Sequence, residues 1–248
     1  MEHADSAPTV VLSPHLDDAV LSAWSVVGDA GAAEVVNVFA GVPEDGPPPR
    51  WDRLAGAESS RAHMEARFKE DRAALALAGR SAVYLPFLDR HYRSDNPPGQ
   101  DEVERAIDAA VRATSVLYAP AGIGAHDDHV LVRDAALDLS RRLGIPLRLY
   151  AELPYAVRYG WPAWVTGDPT GTDDAAGLDW DMYLSAAAIP RGSLTPRVRR
   201  FDDAQMEAKL TAMKRYRTQF RLLNQSPFGV LEHPLVLPWE VAWSVELS

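Results

Sequence analysis

Two short segments hold most of the side chains able to do chemistry: Pro14-His15-Leu16-Asp17-Asp18 and His126-Asp127-Asp128-His129. Two imidazoles and one carboxylate, with a fourth position left to water, make a catalytic zinc site. A metal held that way can polarise an amide carbonyl and bring the pKa of its water down to ~7. A further carboxylate can take the water's proton, and a further imidazole can donate to the leaving amine. Both spare groups are interleaved with the potential ligands here. Each segment alone has a plainer reading. Asp17 or Asp18 can cap the helix that follows, and Asp127 and Asp128 can be charges set against a helix dipole.

The elements that must position them follow from hydrophobic periodicity. The β-branched run at 9–14 reads as a buried strand, and Val20, Ala23, Trp24 and Val27 mark the helix after it, ended by Gly28 and Gly31. Strands are expected at 34–40, 81–87, 115–122 and 147–156, and helices at 57–78, 101–113 and 127–143. Residues 41–50 read as an exposed loop. Strands alternating with helices predict an α/β fold, a Rossmann-like three-layer arrangement with a mainly parallel sheet, as one domain over 1–248. Both chemical segments then fall at carboxyl ends of parallel strands, the edge where such sheets bind ligands. The stretch 157–200 breaks the rhythm. Its Tyr159, Trp161, Trp164 and Trp180 read as a substrate loop or lid, with a dimer-facing surface as the competing reading, and 182–189 as an added strand. A helix with Met206, Leu210, Met213 and Phe220 on one face is predicted over 203–223. The tail, 224–248, is too apolar for a linker and is expected to pack, with His233 structural.

Composition excludes several classes. The 248 residues include no cysteine, so disulfides, thiolate metal sites and a cysteine nucleophile are out. A formal charge of −10 argues against nucleic-acid or anionic-membrane partners. Without a secretory signal or an apolar run of ~20 residues, a cytoplasmic protein is expected. Gly122-Ile123-Gly124 lacks the third glycine of a dinucleotide fingerprint. His63 and His91 have no partner at ligand spacing and read as surface residues.

The same segments carry a resemblance. SPHLDDAVLS is similar to the PHPDDE-type motif of the PIG-L/LmbE-like deacetylases, and HDDH to their HPDH-type motif. The resemblance implies a Rossmann-like fold, zinc (or another divalent metal) on His15, Asp18 and His129, and Asp17 as general base. It further implies that His126 protonates the leaving amine or stabilises the oxyanion, with Asp128 orienting it. Arg67-Phe68-Lys69-Glu70 resembles the family's RxxE helix, whose arginine faces substrate, against a plainer pairing of Arg67 with Glu70 or Asp71. Lys209, Ala212, Tyr216 and Gln219 echo a second family helix, with Thr218 for its serine. Leu16 and Asp127 replace motif prolines, and Ala19 a common glutamate. Gly124 stands where some members carry an oxyanion-stabilising tyrosine, a role open to Tyr155 or Tyr159. The expected function is N-deacetylation of an N-acetylglucosamine-type small molecule, with a homo-oligomer compatible. The rivals are an amidase acting on a non-sugar metabolite or thiol conjugate, a catalytically silent metal-binding protein, and a metal-dependent phosphoesterase.

Overall fold

Val10, Val11 and Leu12 are almost wholly buried, because strand β1 (Thr9–Ser13) is an interior strand of a sheet covered on both faces. The computed structural model describes residues 8–247 except 30, 94–95, 112–113, 168–174, 188, 190–191 and 225–228. After β1 come α1 (Asp18–Ser22), α2 (Trp24–Val27), β2 (Ala33–Asn37), α3 (Arg50–Leu54), α4 (Ser60–Ala76) and β3 (Ala82–Tyr84). Next are α5 (Gln100–Ala110), β4 (Val116–Pro120), α6 (Asp127–Leu143), β5 (Leu147–Tyr150), α7 (Tyr155–Arg158), α8 (Ala163–Thr166) and α9 (Ala175–Ala186). The chain finishes with β6 (Leu194–Arg200), α10 (Asp203–Met213), α11 (Arg217–Leu223) and β7 (Trp239–Val245).

Among the described residues, the seven strands of the sheet run in the order β3-β2-β1-β4-β5-β7-β6. Pairings from β3 through β5 are all parallel; β7 is antiparallel to both β5 and β6. From β1 the chain moves outward to β2 and β3, then returns to place β4 on the other side of β1. The crevice between the ends of β1 and β4 is therefore a topological switch point, and both chemical segments open onto it. The expected α/β architecture is present.

Three local expectations change and a fourth, the packing of the tail, gains its form. Residues 182–186, expected in a strand, belong instead to α9, where Met182, Leu184 and Ala186 are good helix formers, and 188 lies outside the described residues. The helix over 203–223 is broken at Lys214–Tyr216 into α10 and α11. There the Tyr216 hydroxyl donates to buried Asp71 (2.8 Å), and Glu70 caps α11 by accepting from the Thr218 amide (3.1 Å). The tail contributes β7, which is inserted into the sheet between β5 and β6. Finally, Trp161 and Trp180 are core residues: Trp180 stacks edge-to-face on Trp161 and on Trp243 of β7, each at 5.6 Å. Of the tryptophans assigned to a lid, only Trp164 is substantially exposed.

Candidate active site

Ser13, the last residue of β1, fixes the loop that follows. Its hydroxyl donates to the His15 carbonyl and accepts from the Ala19 amide (3.0 Å). Leu16, in a motif proline's place, is buried with Ala40 and Met64 and pins the loop from below. Asp17 occupies the N-cap of α1, yet its side chain makes no capping bond, so its carboxylate is left for the pocket. Beyond β4, Gly122 and Gly124 take positive φ (79° and 87°) and turn the chain into α6. His126 caps α6 by accepting the Asp128 amide on Nδ1 (3.3 Å), and His129 lies one turn inside.

Three imidazoles converge. Ring centroids of His15, His126 and His129 lie 5.1–5.2 Å apart, and one nitrogen from each falls within 4.8 Å of the others. Asp18 Oδ2 sits 3.2 Å from His15 Nδ1 and 3.4 Å from His129 Nε2. Behind each of these two rings stands a buried carboxylate. His15 Nε2 meets Asp128 Oδ2 at 3.0 Å, and His129 Nδ1 meets Glu152 Oε1 at 3.3 Å. Among the described residues, His129 Nε2 is buried without a hydrogen-bond partner. A nitrogen in that state, facing a carboxylate and with its ring held from behind, is suited to a divalent cation.

The charges point the same way. Burial works to lower the pKa of His15, but Asp89 and the bonds to Asp128 and Asp18 raise it well above the usual value. His129 is likewise raised against burial, by Asp18 and Glu152. Burial alone would raise Asp18, yet the His129 charge and His15 bond hold it down to about 2. This carboxylate-rich crevice demands positive charge, which bound protons or a metal ion can supply. A second set, His15 with Asp89 and Asp128, also lies within ligand spacing. Asp128 is already engaged there by Arg93 and the Arg90 amide, and Asp89 by His91. Asp17 is raised by burial, which outweighs nearby Arg67. His126 is pushed down to about 3 by burial and by the His15 and His129 charges.

Asp128 does not orient His126 with its carboxylate; that group is turned to His15, while Arg93 donates to its other oxygen and stacks over Phe39 at 5.1 Å. Arg67 is buried and pairs with Asp17 (3.3 Å) and Asp89 (3.6 Å) instead of Glu70 or Asp71. His63 and His91 are not surface residues. His63 is buried 3.7 Å from Asp52, and His91 bridges Asp52 (3.2 Å) and Asp89 (2.8 Å). Asp127 is exposed and pairs with Arg90 (3.2 Å), so its extra charge faces solvent. At Gly124 a Cβ would come 2.6 Å from the Tyr159 ring and 3.1 Å from Tyr155. The Tyr155 ring packs on His129 at 5.3 Å. Glu152, Asp89 and Asp52 were missed in the sequence because no motif spacing ties them to the histidines. For Glu152, its place just past a parallel strand was the available signal.

The three converging histidines, with Asp17, Asp18, Arg67, Asp89 and Tyr155, line a pocket of about 240 Å³. A larger hollow of about 450 Å³, between α2 and strands β6 and β7, contains none of the histidines.

Residues 10–140, which include both chemical segments, match the family model described as PIG-L, GlcNAc-PI de-N-acetylase. No curated protein matches the chain. Among solved structures, a deacetylase triple mutant of the teicoplanin biosynthetic pathway is similar at 30% identity and TM-score 0.75, covering 97% of this chain and 98% of that one. The deacetylase of the antimicrobial A40926 pseudoaglycone is 27% identical with TM-score 0.73, covering 97% of each chain. A zinc-inhibited form of teicoplanin deacetylase is 26% identical with TM-score 0.72, covering 97% and 98%. The family model spans more than half of the chain and the likeness to the deacetylase runs over its whole length, so the chain belongs to the PIG-L family.

Proposed function

We propose that the protein is a metal-dependent N-deacetylase, with zinc held by His15, Asp18 and His129, acting on an amino sugar or amino-sugar-bearing small molecule. The observation that carries this reading is the convergence of His15 Nδ1 and the unpartnered His129 Nε2 on Asp18, each ring backed by a buried carboxylate. Family membership and the three deacetylases support the reaction, and the teicoplanin and pseudoaglycone enzymes support a glycosylated substrate class.

Zinc bound there would supply a Lewis acid for the amide carbonyl and an acidified water. Asp17, buried and facing the pocket, removes the water's proton and, once protonated, can carry it to the departing nitrogen. His126 spends Nδ1 on the Asp128 amide, so its neutral tautomer carries hydrogen on Nε2. That N–H is a donor for the developing oxyanion, which favours this role over protonation of the amine. Tyr155, packed on both His126 and His129, is the second candidate donor. Arg67 holds Asp17 in place and lines the same wall. Asp128 and Glu152 orient the two ligand imidazoles.

Metal analysis and an acetate-release assay on one purified sample test the proposal. About one zinc or other divalent ion per chain, activity abolished by a chelator and restored by that ion, and acetate from N-acetylated amino sugars are expected. Stoichiometric metal with no hydrolysis would mark a silent binding protein, and acetate from simple N-acetyl amines alone a non-sugar amidase. For the ligand shell, Glu152→Gln should weaken metal affinity about 10-fold to 100-fold in chelator competition. Unchanged affinity would remove Glu152 from the support of His129.

A further inference from the structure

Beyond the reacting groups, the pocket wall includes one large aromatic from an element with no motif signal: Trp51 on α3. The walls around it are mostly ionisable, including Asp17, Arg67, Asp89 and His91. Trp51 is half-buried, and its indole N–H donates to Gln219 Oε1 at 2.8 Å. Gln219 is itself buried and reaches His63 Nε2 at 3.1 Å. The polar handle of the indole is thus satisfied inside the protein, and carbon surface is what Trp51 offers the pocket.

The next residue explains why a five-residue helix stays put. Asp52 is fully buried, accepts from the Tyr92 hydroxyl at 2.9 Å, and meets His91 Nε2 at 3.2 Å. The approach is stiffened by Pro47-Pro48-Pro49, and Arg53 donates back to the Pro48 carbonyl at 2.7 Å. A helix this short does not hold itself. Here a buried carboxylate on one side and a hydrogen-bonded indole on the other fix α3 beside the pocket.

We propose that Trp51 is the ring platform of the site: it takes the C–H face of a cyclic sugar while the N-acyl group reaches the histidine cluster. This rests on the N-deacetylase reading above. Trp51 acts in recognition and Asp52 is a positioning residue that acts through it.

The test compares wild type, W51A, W51F and D52N on N-acetylglucosamine, its β1,4-linked dimer, and acyclic N-acetylethanolamine. Acetate release, metal content and melting temperature are read for each. W51A is expected to raise KM for the cyclic substrates about 10-fold to 100-fold, with kcat changed by less than about 3-fold and full metal content. W51F should recover most of the loss, D52N should raise KM in the same direction, and KM for the acyclic amide should move far less. Equal KM in wild type and W51A, or an equal rise on cyclic and acyclic amides in metal-loaded, folded protein, overturns the platform. If wild type releases acetate from none of them, the reading of the reaction fails instead. Calorimetric titration with glucosamine then decides the platform alone: a wild-type heat lost in W51A upholds it, and identical or absent heats overturn it.

Discussion

Asp17→Asn is expected to lower kcat about 100-fold to 10,000-fold while the metal stays bound. The substitution is nearly isosteric and keeps the Oδ1 acceptor that Arg67 Nη2 approaches at 3.3 Å. Pocket geometry is therefore retained, whereas the capacity to take a proton is gone. Because Asp17 is placed to hand the same proton to the amine, no neighbouring group is left with the whole duty. His126 has Nδ1 committed to the start of α6, and Asp18 lies between the two ligand histidines. Metal content and turnover should be measured on one preparation. Undiminished turnover with the metal in place would show that the base is another residue.

The largest effect on stability is expected at a buried ion pair outside the pocket lining. Lys209 of α10 is wholly buried, its ammonium 2.8 Å from Glu240 Oε1 on β7 and 5.2 Å from the Phe201 ring centre. Glu240 also accepts the Trp24 and Ser25 amides, both at 2.8 Å, and so caps α2. Lys209→Met leaves that carboxylate buried without its cation, an arrangement that costs about 3–5 kcal/mol. A typical domain has only ~5–15 kcal/mol in hand. Adding Glu240→Gln removes the orphaned charge while keeping an amide-facing oxygen, so K209M/E240Q should be more stable than K209M alone. Urea unfolding of the three proteins tests this. A loss below about 1 kcal/mol in K209M, the scale of an exposed pair, would mean the ion pair is not stabilising the fold.

The parallel half of the fold was legible because buried parallel strands are short apolar runs, and the alternating helices have clear faces. The metal cluster was legible because its members sit within two segments of five and four residues. What sequence could not show is who stands behind each ligand. Asp128 looked like a partner for His126, its neighbour two residues away, but rotation at the start of α6 turns its carboxylate to His15, 113 residues distant. His91 has no partner at ligand spacing, yet it bridges Asp52 and Asp89 once α3 folds against the loop after β3. Within 157–200, the burial of Trp161 and Trp180 is illegible for a different reason. These tryptophans carry no periodicity, and a buried edge-to-face stack with a residue some 60 positions later, Trp243, leaves no local trace.

The place of β7 in the sheet has a consequence for how the molecule is made. Of the seven strands it is last in chain order, yet it lies inside the sheet, and β6 reaches the rest of the sheet through it. During synthesis, β5 must wait with an open hydrogen-bonding edge until Trp239–Val245 has emerged. Only then does Glu240 arrive to close off α2 and neutralise Lys209. An open edge of this kind is a template for pairing with another nascent chain. Yield of the folded protein should therefore depend on crowding of ribosomes on the message and on holdase chaperones, even though the finished active-site crevice is built almost entirely by strands that came earlier.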